Sequence, residues 1–571
     1  MSQASEPLSF LQFQRSQPKP TYGSVSTGTV RSRVYLSMVV FALIFSVITG
    51  RLAQLAQMEE QPTKEFISAQ DAVAASRPDL VDRNSEILAT DIKTASVYAE
   101  PRKILDVEEV LEGIGSVFPD LNNETMRKRL SSRAGFIWLK REITPAQHQA
   151  IHRLGLPGIG FLWEKQRFYP GGPIASHIVG SVNIDNQGIA GIEKYVDDAW
   201  LADLQKLGFA SDRSMEPVKL AVDLRVQHVV RDELQKGIER YRAIAGVGIV
   251  LDVNTGEVVA MASLPDYDPN NRGEALEADR MNRATGGTFE MGSVFKGFTT
   301  ANALASGKVS MYDSFDATRP IRAGGRTISD FHGKKRILSV PEIFIYSSNI
   351  GTAKMMLTTG IEEQKRFFGD IGFTSRTVTE LPENAAPQVP KRWGELAAIT
   401  MSFGHGISVT PMQTAVAAAA LVNGGRYIPP TFLPRDEATA NSLARQVIPP
   451  KVSQALRYLY RLNVISGSGR RADVPGYLVG GKTGTAEKVE KGRYNPNKRR
   501  NSFLSAFPMD DPRYVVLVVL DEPKPEKEGM AATAGLNTAP MVANIVRRAA
   551  PMLGVMPRPI TEGTQTIEIA Y

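Results

Sequence analysis

The 571-residue chain contains no cysteine. Disulfides, thiolate metal sites and cysteine catalysis are therefore excluded, while the compartment stays open. Histidine is scarce, with six in the chain. His148 and His152 stand four apart but lack the H-E-x-x-H pattern, so they read as helix-surface residues and not as metal ligands. An excess of one charge is nearly lacking too. The net charge is +7, the basic residues are scattered, and no nucleic-acid-binding signature accompanies them, so a nucleic-acid partner is not expected. There is no internal repeat. What remains is the profile of a folded protein, 42% hydrophobic and 22% charged, long enough for about three or four domains.

One long apolar run stands out. Residues 34–50 are almost entirely apolar and uncharged, and after Arg51 the pattern continues through Leu52 to Leu55. This is the length of a bilayer-spanning helix, with Arg51 placed to snorkel to the interface. Arg15, Lys19, Arg31 and Arg33 precede the run, and Glu59 and Glu60 follow it. The positive-inside rule then puts residues 1–33 in the cytoplasm as a flexible tail, 34–55 across the membrane, and the rest outside. A cleaved signal peptide fits less well, because the leader is long and no A-x-A site directly follows.

Residues 59–217 mix short strands and helices without a catalytic cluster. Three charged turns punctuate them, at Arg77 to Asn84, Arg167 to Gly172 and Gly188 to Glu193. They read as a turn network locking subdomains together. A second unit, 218–558, opens near Lys219. Val247 to Val253 and Glu257 to Ala262 flank Asn254-Thr255-Gly256 and predict a β-hairpin. Pro411 to Val422 predicts a buried alanine-rich helix stopped by Asn423-Gly424-Gly425. Tyr514 to Leu520 predicts a strand covered on both faces, and Ala539 to Met552 a closing helix. The expected class is α+β, one antiparallel sheet sandwiched by helices. Residues 559–571 read as a polar tail, and Lys498-Arg499-Arg500 as a solvated loop face.

Chemistry concentrates in three short motifs. Ser293-Val294-Phe295-Lys296 places a serine and a lysine one helical turn apart. Ser347-Ser348-Asn349 and Lys482-Thr483-Gly484-Thr485 follow in that order. S-x-x-K, S-x-N and K-T-G in sequence form the signature of penicillin-interacting serine acyl-transfer enzymes. Ser293 is the expected nucleophile, and Lys296 the base, if burial or nearby cations hold its pKa down. Ser347 is placed to pass a proton to a departing nitrogen, and Asn349 to hydrogen-bond a substrate amide. Lys482 adds a second cation that favours the neutral Lys296 amine. Thr483 and Thr485 offer hydroxyls to a carboxylate. Gly484 lets the strand edge lie close to an extended peptide. Backbone N–H groups of Ser293 and Thr485 are the expected oxyanion hole.

The chain resembles the class B penicillin-binding proteins, and among them the cell-division type, the FtsI-like septal transpeptidases. The likeness covers nearly the whole chain. Arg77 to Leu88 is similar to the family's R-G-x-x-x-D-R-N-G pedestal motif, with Pro78 at the first glycine and Ser85 at the last. Arg167 to Gly171 and Gly188 to Glu193 match two further pedestal motifs. Leu251 to Glu257 and Phe289-Glu290-Met291-Gly292-Ser293 resemble the entry to the catalytic helix. Ser402 to Pro411 is similar to the division-type G-x-G-x-x-V-T-P element, and Lys482 to Lys488 and Asp521 to Lys524 fit that type.

The resemblance implies a D,D-transpeptidase that cross-links stem peptides of septal peptidoglycan and is trapped by β-lactams, working without metal or organic cofactor. It implies that residues 59–217 are a non-catalytic dimerisation or interaction pedestal. It also implies an FtsW-like polytopic glycosyltransferase and divisome regulatory membrane proteins as partners. Three alternatives share the motifs: an elongation-type transpeptidase, a β-lactam sensor or hydrolase, and a scaffold with a degraded site.

Overall fold

The structure is a computed structural model that describes residues 36, 38–50, 77–201, 216–490 and 492–559. The chain falls into two compact units, residues 1–69 and 70–571. Of the first, residues 38–50 are helical, and Phe41, Leu43 and Phe45 are exposed on that helix. Among the described residues no helix is long and apolar enough to cross a membrane. Most of the remaining expected span, 34–55, lies outside the described residues.

The second unit begins with a sheet built on one long strand, Ile87–Ala99, which pairs antiparallel with Ile137–Ile143 and Ile159–Phe168. Three helices, Val107–Val117, Glu124–Leu130 and Pro145–Leu154, contribute Val110, Ile114, Leu130 and Ile151 to a core shared with Val97 and Leu139. Below it the three charged turns meet. Arg77 Nε donates to Glu193 at 2.9 Å and Arg167 Nε donates to the same carboxylate at 2.6 Å. Arg167 also reaches Asp91 at 3.1 Å and the Pro78 carbonyl at 2.8 Å. Glu193 is fully buried, so its charge is tolerable only because two guanidinium groups face it. Ser85, where the related motif has glycine, sits at φ 70°, a left-handed position that a residue with a Cβ adopts at some cost. The neighbouring Asp82 holds the turn by accepting from the N–H groups of Asn84, Glu86 and Leu224.

The second sheet has five antiparallel strands: β1 Ala245–Asp252, β2 Val258–Leu264, β3 Gly480–Glu490, β4 Arg493–Phe507 and β5 Tyr514–Asp521, in the order β3-β4-β5-β1-β2. The predicted hairpin is β1–β2, with Gly256 at φ 74° in its turn. Alternation splits each strand between two cores. Ile249, Leu251, Leu517 and Val519 face one, and Val250, Val516 and Val518 face the other.

Six helices matter to the layers: α1 Leu224–Tyr241, α2 Phe295–Ala305, α3 Asn349–Thr359, α4 Pro411–Val422, α5 Pro450–Ser466 and α6 Thr538–Ala549. Helices α1 and α6 cover one face through Val226, Val230, Val542 and Ile545. Helices α2, α4 and α5 cover the other through Phe295, Phe298, Ala415 and Leu456. Every residue of α4 is buried, and it starts at a Thr410–Gln413 capping box with proline in the first turn. The α+β sandwich expected for residues 218–558 is therefore present. Lys498-Arg499-Arg500 departs from expectation. It lies within β4, and Arg500 stacks over Phe289 at 4.1 Å while pairing with Asp521 at 3.1 Å. Strand pairing on both sides of Arg500 and an aromatic partner outweigh the solvation of that charge run.

Glu193→Ala should leave Arg77 and Arg167 buried without their shared counter-charge. Denaturant unfolding should show a loss of about 3–5 kcal/mol. A change under about 1 kcal/mol would mean that the network is dispensable.

Candidate active site

Sequence places Ser293 at the start of α2, and the structure seats its segment against the edge of the sheet. Gly292–Val294 forms a 3₁₀ turn that runs into α2. Gly292 has φ 55°, and a Cβ there would lie 2.6 Å from the Thr485 carbonyl oxygen of β3. On its other side the Gly292 N–H donates to the Gly404 carbonyl at 3.2 Å. A Cβ on Gly404 would run into the Gly292 backbone. Two bare glycines thus let the turn wedge between β3 and the 402–409 segment. The bridge between Phe289 and Val409, with bonds of 2.8 and 3.0 Å, fixes its approach. Ser293 is left half-buried, and its hydroxyl makes no hydrogen bond among the described residues.

Lys296, Ser347 and Lys482 converge. Lys296 and Lys482 are both fully buried. Lys296 Nζ donates to Ser347 Oγ at 3.0 Å and to the Ser347 carbonyl. Lys482 Nζ donates to the same Oγ at 3.0 Å and to the Thr483 carbonyl at 3.2 Å. Sequence spacing pointed the Lys296 amine at Ser293. In the structure it rests on Ser347, because a desolvated amine takes the carbonyl and hydroxyl within its reach. Burial holds the Lys296 amine well below the usual lysine range, and the Lys482 charge lowers it further, against a smaller opposing pull from Asp330. Burial alone brings Lys482 down to about 7. Two amines sharing one hydroxyl in a dry site do not both stay charged, so the site carries at least one neutral amine near neutral pH.

Ser347 earns its central place from local structure. It caps the Val340–Tyr346 helix in the left-handed conformation, φ 57°. Ser348 then N-caps α3, accepting from the Gly351 N–H at 3.0 Å. Asn349 Nδ2 donates to the Ser329 carbonyl at 2.9 Å. On β3, Thr483 Oγ1 shares a hydrogen bond of 2.6 Å with Ser468 Oγ, and Thr485 is half-exposed opposite Asn501. Gly484 is bare for a reason beyond an open strand edge. A Cβ there would meet the Met291 carbonyl and Ser502 Oγ, so the glycine seats β3 against the nucleophile turn.

Four residues join the site that motif reading did not single out. Asp330 accepts from Ser348 Oγ at 2.8 Å and from the Ile350 N–H at 3.0 Å, fixing the second motif from outside it. Ser468 follows α5 and meets Thr483. Glu290 accepts from the Gly406 N–H at 2.8 Å and from the Tyr494 hydroxyl at 3.1 Å, tying the nucleophile segment to the 402–409 segment and to β4. His405 is nearly buried; burial, then the Lys296 charge, push its imidazole down to about 4, so it is neutral. Spacing gives no signal for Asp330 or Ser468. Glu290 and His405 lie inside quoted segments, but their partners are distant in sequence.

Residues 246–547 match the family description "Penicillin binding protein transpeptidase domain". The chain belongs to that family. Residues 72–199 match "Penicillin-binding Protein dimerisation domain". The chain is 38% identical over 501 residues to the "Probable peptidoglycan D,D-transpeptidase FtsI" of Caulobacter vibrioides, covering 85% of this chain and 82% of that protein. It is 29% identical over 521 residues to the "Peptidoglycan D,D-transpeptidase FtsI" of Escherichia coli, covering 86% of each. It is 31% identical over 572 residues to the "Stage V sporulation protein D" of Bacillus subtilis, covering 94% of this chain and 88% of that one. The chain is thus a class B penicillin-binding protein of the FtsI-like kind.

Lys482→Met tests the cost of the buried amine. The unfolded amine titrates near 10.5 and the folded one near 7. Below about pH 7 the folded state carries the whole penalty of a buried charge, and it sheds that penalty as pH rises toward 10.5. The variant should therefore be more stable than wild type at low pH, with the gap narrowing across that window in denaturant unfolding. Its acylation by penicillin should fall by about 10²–10⁴-fold.

Proposed function

We propose that this protein is a peptidoglycan D,D-transpeptidase of the division septum, working through an acyl-enzyme on Ser293. The observation that carries the reading is two buried lysine amines sharing the Ser347 hydroxyl, with the half-buried Ser293 one helical turn before Lys296. The names of the FtsI relatives support the substrate and the septal role.

In this reading Ser293 Oγ attacks the carbonyl of the penultimate D-Ala of a stem peptide. Its proton passes to the neutral Lys296 amine. The N–H groups of Ser293 and Thr485 hold the oxyanion, with the α2 N-terminus behind them. The C–N bond breaks, the leaving D-Ala nitrogen takes a proton through Ser347, and the acyl group stays on Ser293. The amine of a neighbouring stem then attacks the ester, loses its proton to the same base, and leaves the cross-link with Ser293 restored. Asn349 orients the substrate amide, and Thr483 and Thr485 bind the terminal carboxylate. β3, seated against the Ser293 turn through Gly484, presents the edge of the sheet to an extended peptide. A β-lactam follows the first half only, because its leaving group stays tethered in the site.

The same reading assigns residues 1–33 to the cytoplasm, 34–55 to a single membrane pass, 59–217 to a pedestal and 218–558 to the exported transpeptidase domain. The helical apolar residues 38–50 support the anchor. An FtsW-like glycosyltransferase and divisome regulatory proteins are its partners.

Ser293→Ala should abolish covalent labelling by fluorescent penicillin while the unfolding transition is kept. Mass spectrometry of the wild-type adduct should place it on Ser293; a stable adduct elsewhere overturns the assignment. A periplasm-dependent reporter fused after Tyr571 should be active, and a tagged copy should gather at midcell. Activity of a cytoplasm-dependent reporter at that fusion would reverse the topology.

A further inference from the structure

Residues 319–336 form a flap beside the second motif. Its strands Ile321–Ala323 and Arg326–Ile328 pair as an antiparallel ribbon, and an exposed loop follows. The underside is anchored: Ala323 and Ile328 are buried with Ala353, Met356 and Ala398. The flap also carries Arg319, Arg322, Arg326, Lys334, Lys335 and Arg336, all exposed, against one carboxylate of its own, Asp330.

That carboxylate is already occupied by Ser348 Oγ and the Ile350 N–H. Arg336 is paired with Glu342 at 2.6 Å. The other five cations form no ion pair among the described residues. Phe331 is 78% exposed among them, with its ring 4.3 Å from that of His332. Lys334 Nζ lies 4.8 Å from the ring of Tyr346, the residue before Ser347.

We propose that this flap docks a carboxylate-rich polymer, the peptide-bearing strand on which the enzyme acts, and feeds it to the Ser347–Asn349 turn. The proposal rests on the transpeptidase reading above. Five unpaired like charges on one small element concentrate positive potential, which an anionic chain relieves. The flap touches the site directly, since the Ser329 carbonyl holds Asn349 and Asp330 holds Ser348 and Ile350. A chain held here continues across the substrate-binding side chains. That continuity favours the substrate polymer over an acidic segment of another protein. Phe331 adds an apolar contact amid the charge.

The test uses the full-length protein in detergent and its co-sedimentation with insoluble peptidoglycan sacculi at about 50 and about 300 mM salt. The variant combines Arg319→Gln, Arg322→Gln, Arg326→Gln, Lys334→Gln and Lys335→Gln; Asp330 is left intact. Wild-type binding should weaken steeply with salt. The variant should bind roughly tenfold more weakly at low salt, with a flattened salt response, and keep its penicillin acylation rate within about twofold. Binding equal to wild type with the same salt response overturns the proposal. So does a loss seen with polyglutamate but not with peptidoglycan, which assigns the flap to an acidic protein partner. Absence of penicillin acylation in both proteins would instead count against the transpeptidase reading itself.

Discussion

Two lysine amines buried on one serine hydroxyl are the constraint around which the five-stranded sheet and its helices are built. A protonated amine out of water is costly, and two within reach of the same oxygen are costlier still. The fold accepts this arrangement because Ser347 is held from several directions. Its helix ends on it in a left-handed conformation, Ser348 caps the next helix, and Asp330 grips that cap from the flap. Lys296 arrives from α2 and Lys482 from the sheet edge, each locked by full burial. A neutral amine at neutral pH thus follows from burial, aided by the neighbouring Lys482 charge.

Ser293 is placed by a different means, the removal of side chains. Gly292 and Gly404 let three backbone segments pass closer than any Cβ allows, and Gly484 does the same for β3. Glu290 adds a polar tie to the same junction, through Gly406 and Tyr494. Burial pushes its carboxyl upward, while hydrogen bonds from Gly406 and Tyr494 and the Arg500 charge act in the opposite direction. The serine therefore sits on a scaffold of backbone contacts, and its own hydroxyl stays available for a substrate.

Much of this was legible in the sequence. The three motifs, the β1–β2 hairpin around Gly256 and the alanine-rich α4 each carry a local pattern that the structure keeps. What escaped was non-local or depended on burial. Asp330 reaches Ser348 across a ribbon that no periodicity announces. Ser468 meets Thr483 only because α5 ends beside β3. Spacing put Lys296 beside Ser293, yet spacing says nothing of the carbonyl at Ser347 that the amine prefers. Gly484 was read as room for a ligand, and its neighbours turn out to be the protein's own Met291 and Ser502. The charge run at Lys498 to Arg500 hides the β4 pattern around it and suggests a loop.

The strand order has a consequence in time. β1 and β2 are synthesised early, but β1 pairs with β5, and β3 joins only through β4. Ser293 and its lysine neighbour therefore exist in the growing chain long before the strand bearing Lys482 is in place. Pairing of this range is slow to form, because loop closure precedes its reward. An emerging or partly folded chain carries Ser293 in water, beside an ordinary protonated lysine. The amine is desolvated only when the last strands close over it, so the proposed mechanism gains its base with the completion of the fold.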